Sequence, residues 1–194
     1  NAFADTNDPD GMGLSSVAKS YIAGLLKYAP EYMLITNQYV NSYKRLVPGF
    51  DAPVLVSWGS RNRSAMVRVP RYKPSKPSST RIAVRSVDSA ANPYLAYAAM
   101  LGAGLKGIEE GLNLCAPVEE NLFKLSQAEI AERGLKYLPR DLSQAIDEFE
   151  KSELMHEILG DVICENLISA KRAEWEEYRA HVSSWEIDRY LARL

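Results

Sequence analysis

The sequence predicts an α+β domain in which a short antiparallel β-sheet, of about three strands, packs against many α-helices. Apolar residues recur at helical spacing both before residue 46 and after residue 92. Between these regions, residues 54–87 hold three short segments that favour strands and are bounded by turn residues. The length of 194 residues is enough for one domain with a hydrophobic core.

Two helices are predicted before the sheet. Ser15 or Ser16 can cap the first helix, which then carries apolar residues at helical spacing as far as Tyr28. Pro30 suits the first turn of a helix, so we expect a second helix over residues 30–44 rather than a continuation of the first. The sequence LVPGFDAP, residues 46–53, has the turn chemistry of a loop.

The strand-like segments span residues 54–58, 64–69 and 81–87, and we expect them to form an antiparallel meander. The linker between the last two, PRYKPSKPSS, is rich in Pro and Ser, which indicates an exposed loop.

The rest of the chain reads as helices. Asn92 and Pro93 supply a cap and a first-turn proline for a helix that stops at Gly111, and its nearly all-round apolar surface predicts burial against the sheet. Shorter helices are expected around residues 126–133 and 141–150, then a long one over 152–179 and an amphipathic tail over 183–194.

Composition narrows the class of protein. The net charge is −2, whereas a dedicated nucleic-acid or membrane-surface binder is usually strongly basic, so we expect neither partner. No apolar run approaches the ~20 residues of a membrane span, and no signal peptide is apparent, which favours a cytoplasmic location. The chain opens without Met on a polar, turn-rich stretch, which we interpret as a cut inside a larger protein.

One window of the sequence is strongly basic. Between Ala52 and Val87 there is no Asp or Glu. The cations of this window are Arg61, Arg63, Arg68, Arg71, Lys73, Lys76, Arg81 and Arg85. The guanidinium group presents a fixed fork of donors that suits phosphate and carboxylate oxygens. The window therefore predicts an anion-binding surface.

Strand alternation sharpens this prediction for the stretch RIAVR. Arg81, Ala83 and Arg85 should share one face, while Ile82 and Val84 face the core. The two arginines would lie roughly 13 Å apart along the strand, which suits two anionic groups side by side, such as a nucleotide phosphate chain and an acidic substrate.

Two other interpretations of the basic window stay open. Its arginines could lie on a solvated sheet face or pair with carboxylates elsewhere in the chain. Alternatively, single-stranded nucleic acid could bind the sheet, with Trp58 and Tyr72 as stacking platforms.

Three longer motifs carry a family resemblance. They are NSYKRLVPGFDAP at 41–53, SRNRSAMVRVP at 60–70 and RIAVRSVDSAANPYLAYAAML at 81–101. With NAF at the start and WEIDRYL near the end, the whole chain resembles the bacterial type I glutamine synthetase family. Residues 1–194 are similar to the C-terminal portion of its catalytic domain, and 183–194 to a terminal tail that makes oligomer contacts.

The resemblance implies an activity and roles for named residues. The family joins ammonia to glutamate at the expense of ATP through a γ-glutamyl phosphate, uses Mg²⁺ or Mn²⁺, and assembles as a dodecamer. By resemblance, Arg45 and Arg85 hold the carboxylates of glutamate, and Arg63 lies between glutamate and the transferring phosphate. The remaining residues implied to bind ATP are Arg68, Arg81 and one of Lys73 or Lys76, with Lys76 preferred.

Three positions depart from the family pattern. Ala83 occupies the place of a glutamate that ligates the metal, and a methyl group cannot coordinate Mg²⁺ or Mn²⁺. Asp51 replaces the flap-loop glutamate that helps to deprotonate ammonium, which shortens the base by one methylene. Phe123 stands where regulated subfamilies carry a tyrosine that is adenylylated.

These departures leave several functions open. The chain could belong to an authentic glutamate–ammonia ligase, to a divergent γ-glutamyl-amine ligase or to a paralogue of low activity. A non-catalytic assembly module is the alternative from another class. Residues 1–194 alone are expected to be inactive, because most family metal ligands lie upstream of the matched segment.

Overall fold

The computed structural model describes residues 1–50, 52–70 and 76–193. The helices are α1 (Ser16–Lys27), α2 (Ala29–Thr36), α3 (Val40–Arg45), α4 (Pro93–Glu109), α5 (Gln127–Glu132), α6 (Leu142–Glu150), α7 (Glu153–Leu159), α8 (Asp161–Ala180) and α9 (Ser184–Tyr190). The strands are β1 (Trp58–Gly59), β2 (Val67–Arg68) and β3 (Ala83–Val84). Short 3-10 turns cover Pro77–Ser79, Leu122–Lys124 and Leu191–Arg193. The predicted α+β class is confirmed.

The first two helices begin where the sequence predicts. The Ser15 side chain accepts a hydrogen bond from the Ala18 amide and so caps α1, and Pro30 lies in the first turn of α2. The predicted second helix is nevertheless interrupted: α2 ends at Thr36, and α3 begins only at Val40. Asn37 lies at the break, where its buried amide donates to the carbonyl of Ser86. At Asn37 the chain leaves the helical path, and the side chain bonds to the segment that follows β3.

The sheet is mixed, and the prediction of an antiparallel meander is wrong for its first pair. Strand β1 runs parallel to β2, whereas β2 and β3 are antiparallel as predicted. In the loop from Ser60 to Met66, the Asn62 amide donates to the carbonyls of Val118 and Glu120. Because the chain makes this excursion before it returns, β2 enters the sheet in the same direction as β1.

Helix α4 packs tightly on α1 through small residues. A Cβ atom on Gly24 would lie 2.3 Å from the carbonyl oxygen of Ala103, so the two helices approach more closely than larger side chains allow. The opposite side of α4 is exposed, with Tyr94 85% and Tyr97 71% accessible. The prediction of burial against the sheet is therefore wrong for this exposed side, and the buried side packs mainly against α1, α7 and α2.

The C-terminal region is also divided. Gly160, with φ of +79°, separates α7 from α8, where the sequence pattern predicts one continuous helix. The apolar side chains of Trp185 and Ile187 in α9 and of Leu191 in the following 3-10 turn are exposed. Among the described residues, no helix combines the length and apolar character needed to cross a membrane.

Candidate anion-binding site

The sheet separates an apolar face from a polar one. Trp58, Val67 and Val84 lie side by side across the three strands, and their side chains are buried in or packed against the core. The next row is Gly59, Arg68 and Ala83, which therefore lies on the opposite face. The sheet thus directs its hydrophobic residues inward and leaves the face with Arg68 and Ala83 for polar contacts.

Arg68 belongs to this polar face, and Arg81 and Arg85 flank Ala83 in the sequence; we call these three the sheet-face arginines. Arg68 is directly opposite Ala83, so their side chains are neighbours. Strand β3 covers Ala83 and Val84, and its alternation continued in both directions predicts Arg81 and Arg85 on the side of Ala83. The Arg85 amide donates to the Met66 carbonyl at 2.8 Å. Ile82 and Val84 pack against the core, as predicted.

The buried part of Arg68 has an unused donor. Its Nε atom is buried and finds no hydrogen-bond acceptor among the described residues. A buried donor of this kind costs about 1–3 kcal/mol unless a ligand or another part of the protein satisfies it. The polar face therefore favours a ligand with a hydrogen-bond acceptor, and an anionic group is the strongest acceptor.

Two further arginines project from the loop between β1 and β2. Arg61 and Arg63 are exposed and line a cavity of about 430 Å³ together with Phe123. We call them the loop arginines. The sheet-face arginines are not among the residues that line this cavity, so the basic window divides into two groups.

Arg45 is anchored to the segment that follows β3. Its Nη2 atom donates to the Ser86 carbonyl at 2.7 Å and to the Val87 carbonyl at 3.2 Å. The Nε atom of Arg45 is buried without an acceptor among the described residues. One edge of this guanidinium therefore holds α3 against the segment after Arg85, while another donor stays available.

Asp88 completes the anchor. Burial alone would raise the pKa of this carboxyl group, but hydrogen bonds from the Ala90 amide and the Ser42 hydroxyl, together with the Arg45 charge, hold the pKa below its ordinary value. Asp88 is therefore ionised at neutral pH and balances part of the Arg45 charge.

The structure bears on both open interpretations of the basic window. Arg61, Arg63 and Arg81 are exposed, which agrees with a solvated surface. Pairing with carboxylates and stacking on Trp58 lose support. Within the described ranges, Arg45, Arg61, Arg63, Arg68 and Arg81 form no ion pair with an Asp or Glu. Trp58 is 4% exposed and donates through Nε1 to the Cys115 carbonyl, so it offers no surface for a stacked base. Tyr72 lies outside the described residues.

Lys76 lies before β3 in the sequence, and three other predicted residues lie outside the described ranges. Lys76 is exposed and precedes the turn Pro77–Ser79, on the approach to β3. Asp51, Arg71 and Lys73 lie outside the described residues.

The described residues do not fit a divalent metal ion. Ala83 presents a methyl group with Arg68 opposite it, where the resemblance implies a glutamate ligand. No group of three or more His, Cys, Asp or Glu side chains in residues 1–50, 52–70 and 76–193 could hold a metal. Mg²⁺ and Mn²⁺ need oxygen ligands, and this face offers cations instead.

Sequence reasoning missed the residues that hold the loop carrying Arg61 and Arg63, which we call the arginine loop. Both oxygens of Glu119 accept backbone amides of this loop, and Asn62 bonds to the same distant segment. The Glu119 contacts join residues 58 and 59 positions apart in the chain. Periodicity and local turn chemistry carry no signal for such pairs.

Comparison with known proteins identifies the family of this chain. The family model described as "Glutamine synthetase, catalytic domain" matches residues 1–190. The glutamine synthetase of Mycolicibacterium smegmatis is 50% identical over 192 residues, which are 99% of this chain and 43% of the relative. That of Methanosarcina mazei is 46% identical over 194 residues, 100% of this chain and 42% of the relative.

A solved structure agrees with the sequence matches. A complex of GmaS with ADP superimposes with a TM-score of 0.83 at 32% identity, covering 99% of this chain and 43% of that one. The chain thus spans less than half the length of these relatives. It belongs to the glutamine synthetase catalytic-domain family, a family of ligases.

Proposed function

We propose that residues 1–194 act as the C-terminal portion of the catalytic domain of an ATP-dependent ligase that joins glutamate to ammonia or to another amine. The observation that carries this proposal is the row across the sheet: Arg68 is directly opposite Ala83, and Arg81 and Arg85 flank it. An arginine-rich face suits a reaction between two anionic substrates.

The residue roles proposed here are those that family membership implies. Arg68, Arg81 and Lys76 bind the phosphates of ATP, and Arg45 and Arg85 hold the carboxylates of glutamate. Arg63 contacts both glutamate and the transferring phosphate, and Asp51 assists in removing a proton from the amine. The arginines lower the barrier by neutralising charge that develops during phosphoryl transfer.

A divalent metal supplies further charge neutralisation in this family, and its ligands would have to come from outside the described residues. Ala83 and Asp51 are the reasons to keep a divergent γ-glutamyl-amine ligase, or a paralogue of low activity, as the second candidate. Residues 1–194 alone should form no glutamine, because they carry only part of the site.

We further propose a cytoplasmic homo-oligomer, a dodecamer in the complete enzyme. Support comes from the exposed apolar residues of 183–194. Size-exclusion chromatography with and without these residues tests the proposal, since loss of the tail should reduce the assembly. If the assembly is unchanged without residues 183–194, the tail does not hold the oligomer together and folds onto its own domain instead.

The activity needs a complete catalytic domain. We would replace the matching 43% of the Mycolicibacterium smegmatis enzyme by residues 1–194 and assay the graft with ATP, glutamate and a panel of amines. Arg63→Ala and Arg68→Ala should each lower kcat/KM at least 100-fold. Arg172→Ala is the matched control, because Arg172 pairs with Asp147 and Glu150. Higher turnover with ammonia than with every amine would exclude the divergent candidate.

A further inference from the structure

The loop that carries Arg61 and Arg63 is held by a segment far away in the sequence. The Ser60 amide donates to one oxygen of Glu119 at 2.6 Å, and the Arg61 amide donates to the other at 3.2 Å. One carboxylate thus binds two consecutive backbone amides at the start of the arginine loop. Both bonds involve an ionised acceptor, which makes them stronger than bonds between neutral groups.

Asn62 and Ser64 hold the other half of the loop. The Asn62 amide donates to the carbonyls of Val118 and Glu120 at 2.8 and 2.6 Å. The Ser64 hydroxyl donates to Asn62 and accepts from the amide of Leu122 at 2.9 Å. Both side chains are buried, so water does not compete for these bonds.

The fit between loop and segment is close on the sheet side as well. The Val118 amide donates to the Trp58 carbonyl at 2.8 Å, and a Cβ atom on Gly59 would lie 2.5 Å from the Val118 carbonyl oxygen. Residues 118–122 therefore contact the arginine loop from Trp58 to Ser64. We call residues 118–122 the anchoring segment.

The Glu119 carboxylate accepts hydrogen bonds from the backbone of the loop and not from its guanidinium groups. Neither Arg61 nor Arg63 forms an ion pair with a carboxylate in the part of the chain that the structure describes. The loop is therefore fixed through its amides, and Arg61, Arg63 and Glu119 are among the residues that line the 430 Å³ cavity. This is the arrangement that a pre-organised anion site requires.

We propose that Glu119 is a positioning residue, which orients Arg63 for phosphoryl transfer by holding the Ser60 and Arg61 amides. The functional part of this inference rests on the proposed function. The structural part of the inference, that Glu119 fixes the loop, is independent of the proposed function. Glu119 contacts no substrate in this proposal and acts only through the backbone of the arginine loop.

Electrostatics alone predicts the opposite effect of removing this carboxylate. A negative charge beside an anion site repels the anion, so Glu119→Ala should tighten anion binding and leave kcat unchanged or higher. Positioning predicts instead that kcat falls, since a guanidinium displaced by an ångström stabilises the transition state less. The sign of the change in kcat therefore distinguishes the two effects.

The first experiment measures amide hydrogen exchange in the 194-residue chain. Exchange at Ser60 and Arg61 should become at least tenfold faster in Glu119→Ala and less so in Glu119→Gln, which keeps one acceptor oxygen. Glu120→Ala is the matched control, because the Glu120 side chain pairs with Arg133 and only its backbone bonds to the loop. Unchanged exchange in Glu119→Ala would overturn the inference.

The second experiment measures kcat and KM in the graft described above. We expect kcat to fall at least tenfold in Glu119→Ala, with an intermediate value in Glu119→Gln and an unchanged value in Glu120→Ala. KM for ATP should change little. Equal kcat values for Glu119→Ala and Glu120→Ala would overturn the positioning role.

The two measurements distinguish failure of the proposed function from failure of the Glu119 inference. If the unmutated graft forms no γ-glutamyl product, the proposed function fails, and hydrogen exchange alone decides whether Glu119 holds the loop. If Glu119→Ala also loses its thermal unfolding transition, Glu119→Gln serves in its place, since it preserves the shape of the side chain.

Discussion

The substitution Ala83→Glu tests whether the sheet-face arginines form one cationic surface. Ala83 is directly opposite Arg68, and residues in this position of an antiparallel pair have Cβ atoms about 4.5–5.5 Å apart. The Arg68 Nε atom is buried without an acceptor among the described residues. A carboxylate at position 83 therefore comes within reach of a guanidinium that lacks one hydrogen bond.

The expected gain in stability follows from these contacts. An opposite-charge pair across two strands contributes about 0.2–1 kcal/mol, and a hydrogen bond to a charged group contributes ~1.5–3 kcal/mol when buried. Because Arg68 is partly exposed, solvent screens part of this energy, and we expect a total of about 1–2 kcal/mol. For a domain of this size the gain corresponds to roughly 2–8 °C in Tm.

Thermal denaturation at low salt measures this gain, with Ala83→Gln as the control of similar shape and no charge. At 1 M salt, where the screening length is about 3 Å, most of the difference between the two variants should disappear. The arginine charges lower the pKa of the introduced carboxyl in the folded state. The gain should therefore be full above its unfolded pKa, about 4.3, and decline as the pH falls below it. If Ala83→Glu is no more stable than Ala83→Gln at low salt, the shared cationic face is refuted.

Two further predictions concern the scaffold. Gly24→Ala should destabilise the chain by about 1–3 kcal/mol in urea denaturation, because the added Cβ would lie 2.3 Å from the backbone oxygen of Ala103. Gly102→Ala should cost less, since its Cβ would meet the flexible end of an isoleucine, and equal costs would contradict the close approach of α1 and α4. Burial raises the pKa of Glu31, which accepts a hydrogen bond from Ser152. The folded state therefore holds this proton more tightly, and stability should fall relative to Glu31→Gln as the pH rises above the ordinary carboxyl range. If the difference in Tm between the two proteins stays constant as the pH rises from the ordinary carboxyl pKa, the raised pKa of Glu31 is contradicted.

Local signals in the sequence predicted much of the fold correctly. The cap at Ser15 and the first-turn proline at position 30 depend on neighbouring residues alone, and both predictions are confirmed. The alternation of Ile82 and Val84 toward the core is a local property of an extended strand, and it is confirmed too. The composition of the basic window likewise pointed to cations without acidic partners in the same stretch.

The errors lie where distant residues decide the local structure. The direction of β2 depends on an excursion that Asn62 holds through contacts with residues 56 and 58 positions away. The end of α2 depends on a bond from Asn37 to a carbonyl 49 positions away. Gly160 is different, because a glycine inside a helical pattern is a visible signal for a helix end.

The candidate site shows the same division. The sequence identified the arginines themselves, because a stretch of 36 residues without Asp or Glu (from Ala52 to Val87) is apparent on inspection. It could not identify Glu119, since the carboxylate lies 32 residues beyond the window and bonds to backbone amides that any sequence provides.

The account depends most directly on whether the arginines of the loop and of the sheet bind one ligand together. Titration of the nitrogen-15-labelled chain with ATP, followed through the side-chain resonances of its arginines, measures this. We predict that Arg63, Arg68 and Arg81 shift together and saturate at one ATP concentration, while Arg172 and Arg179, which are paired with carboxylates, stay unchanged. Independent saturation of the first three, or equal shifts in all five, would contradict a common anion site.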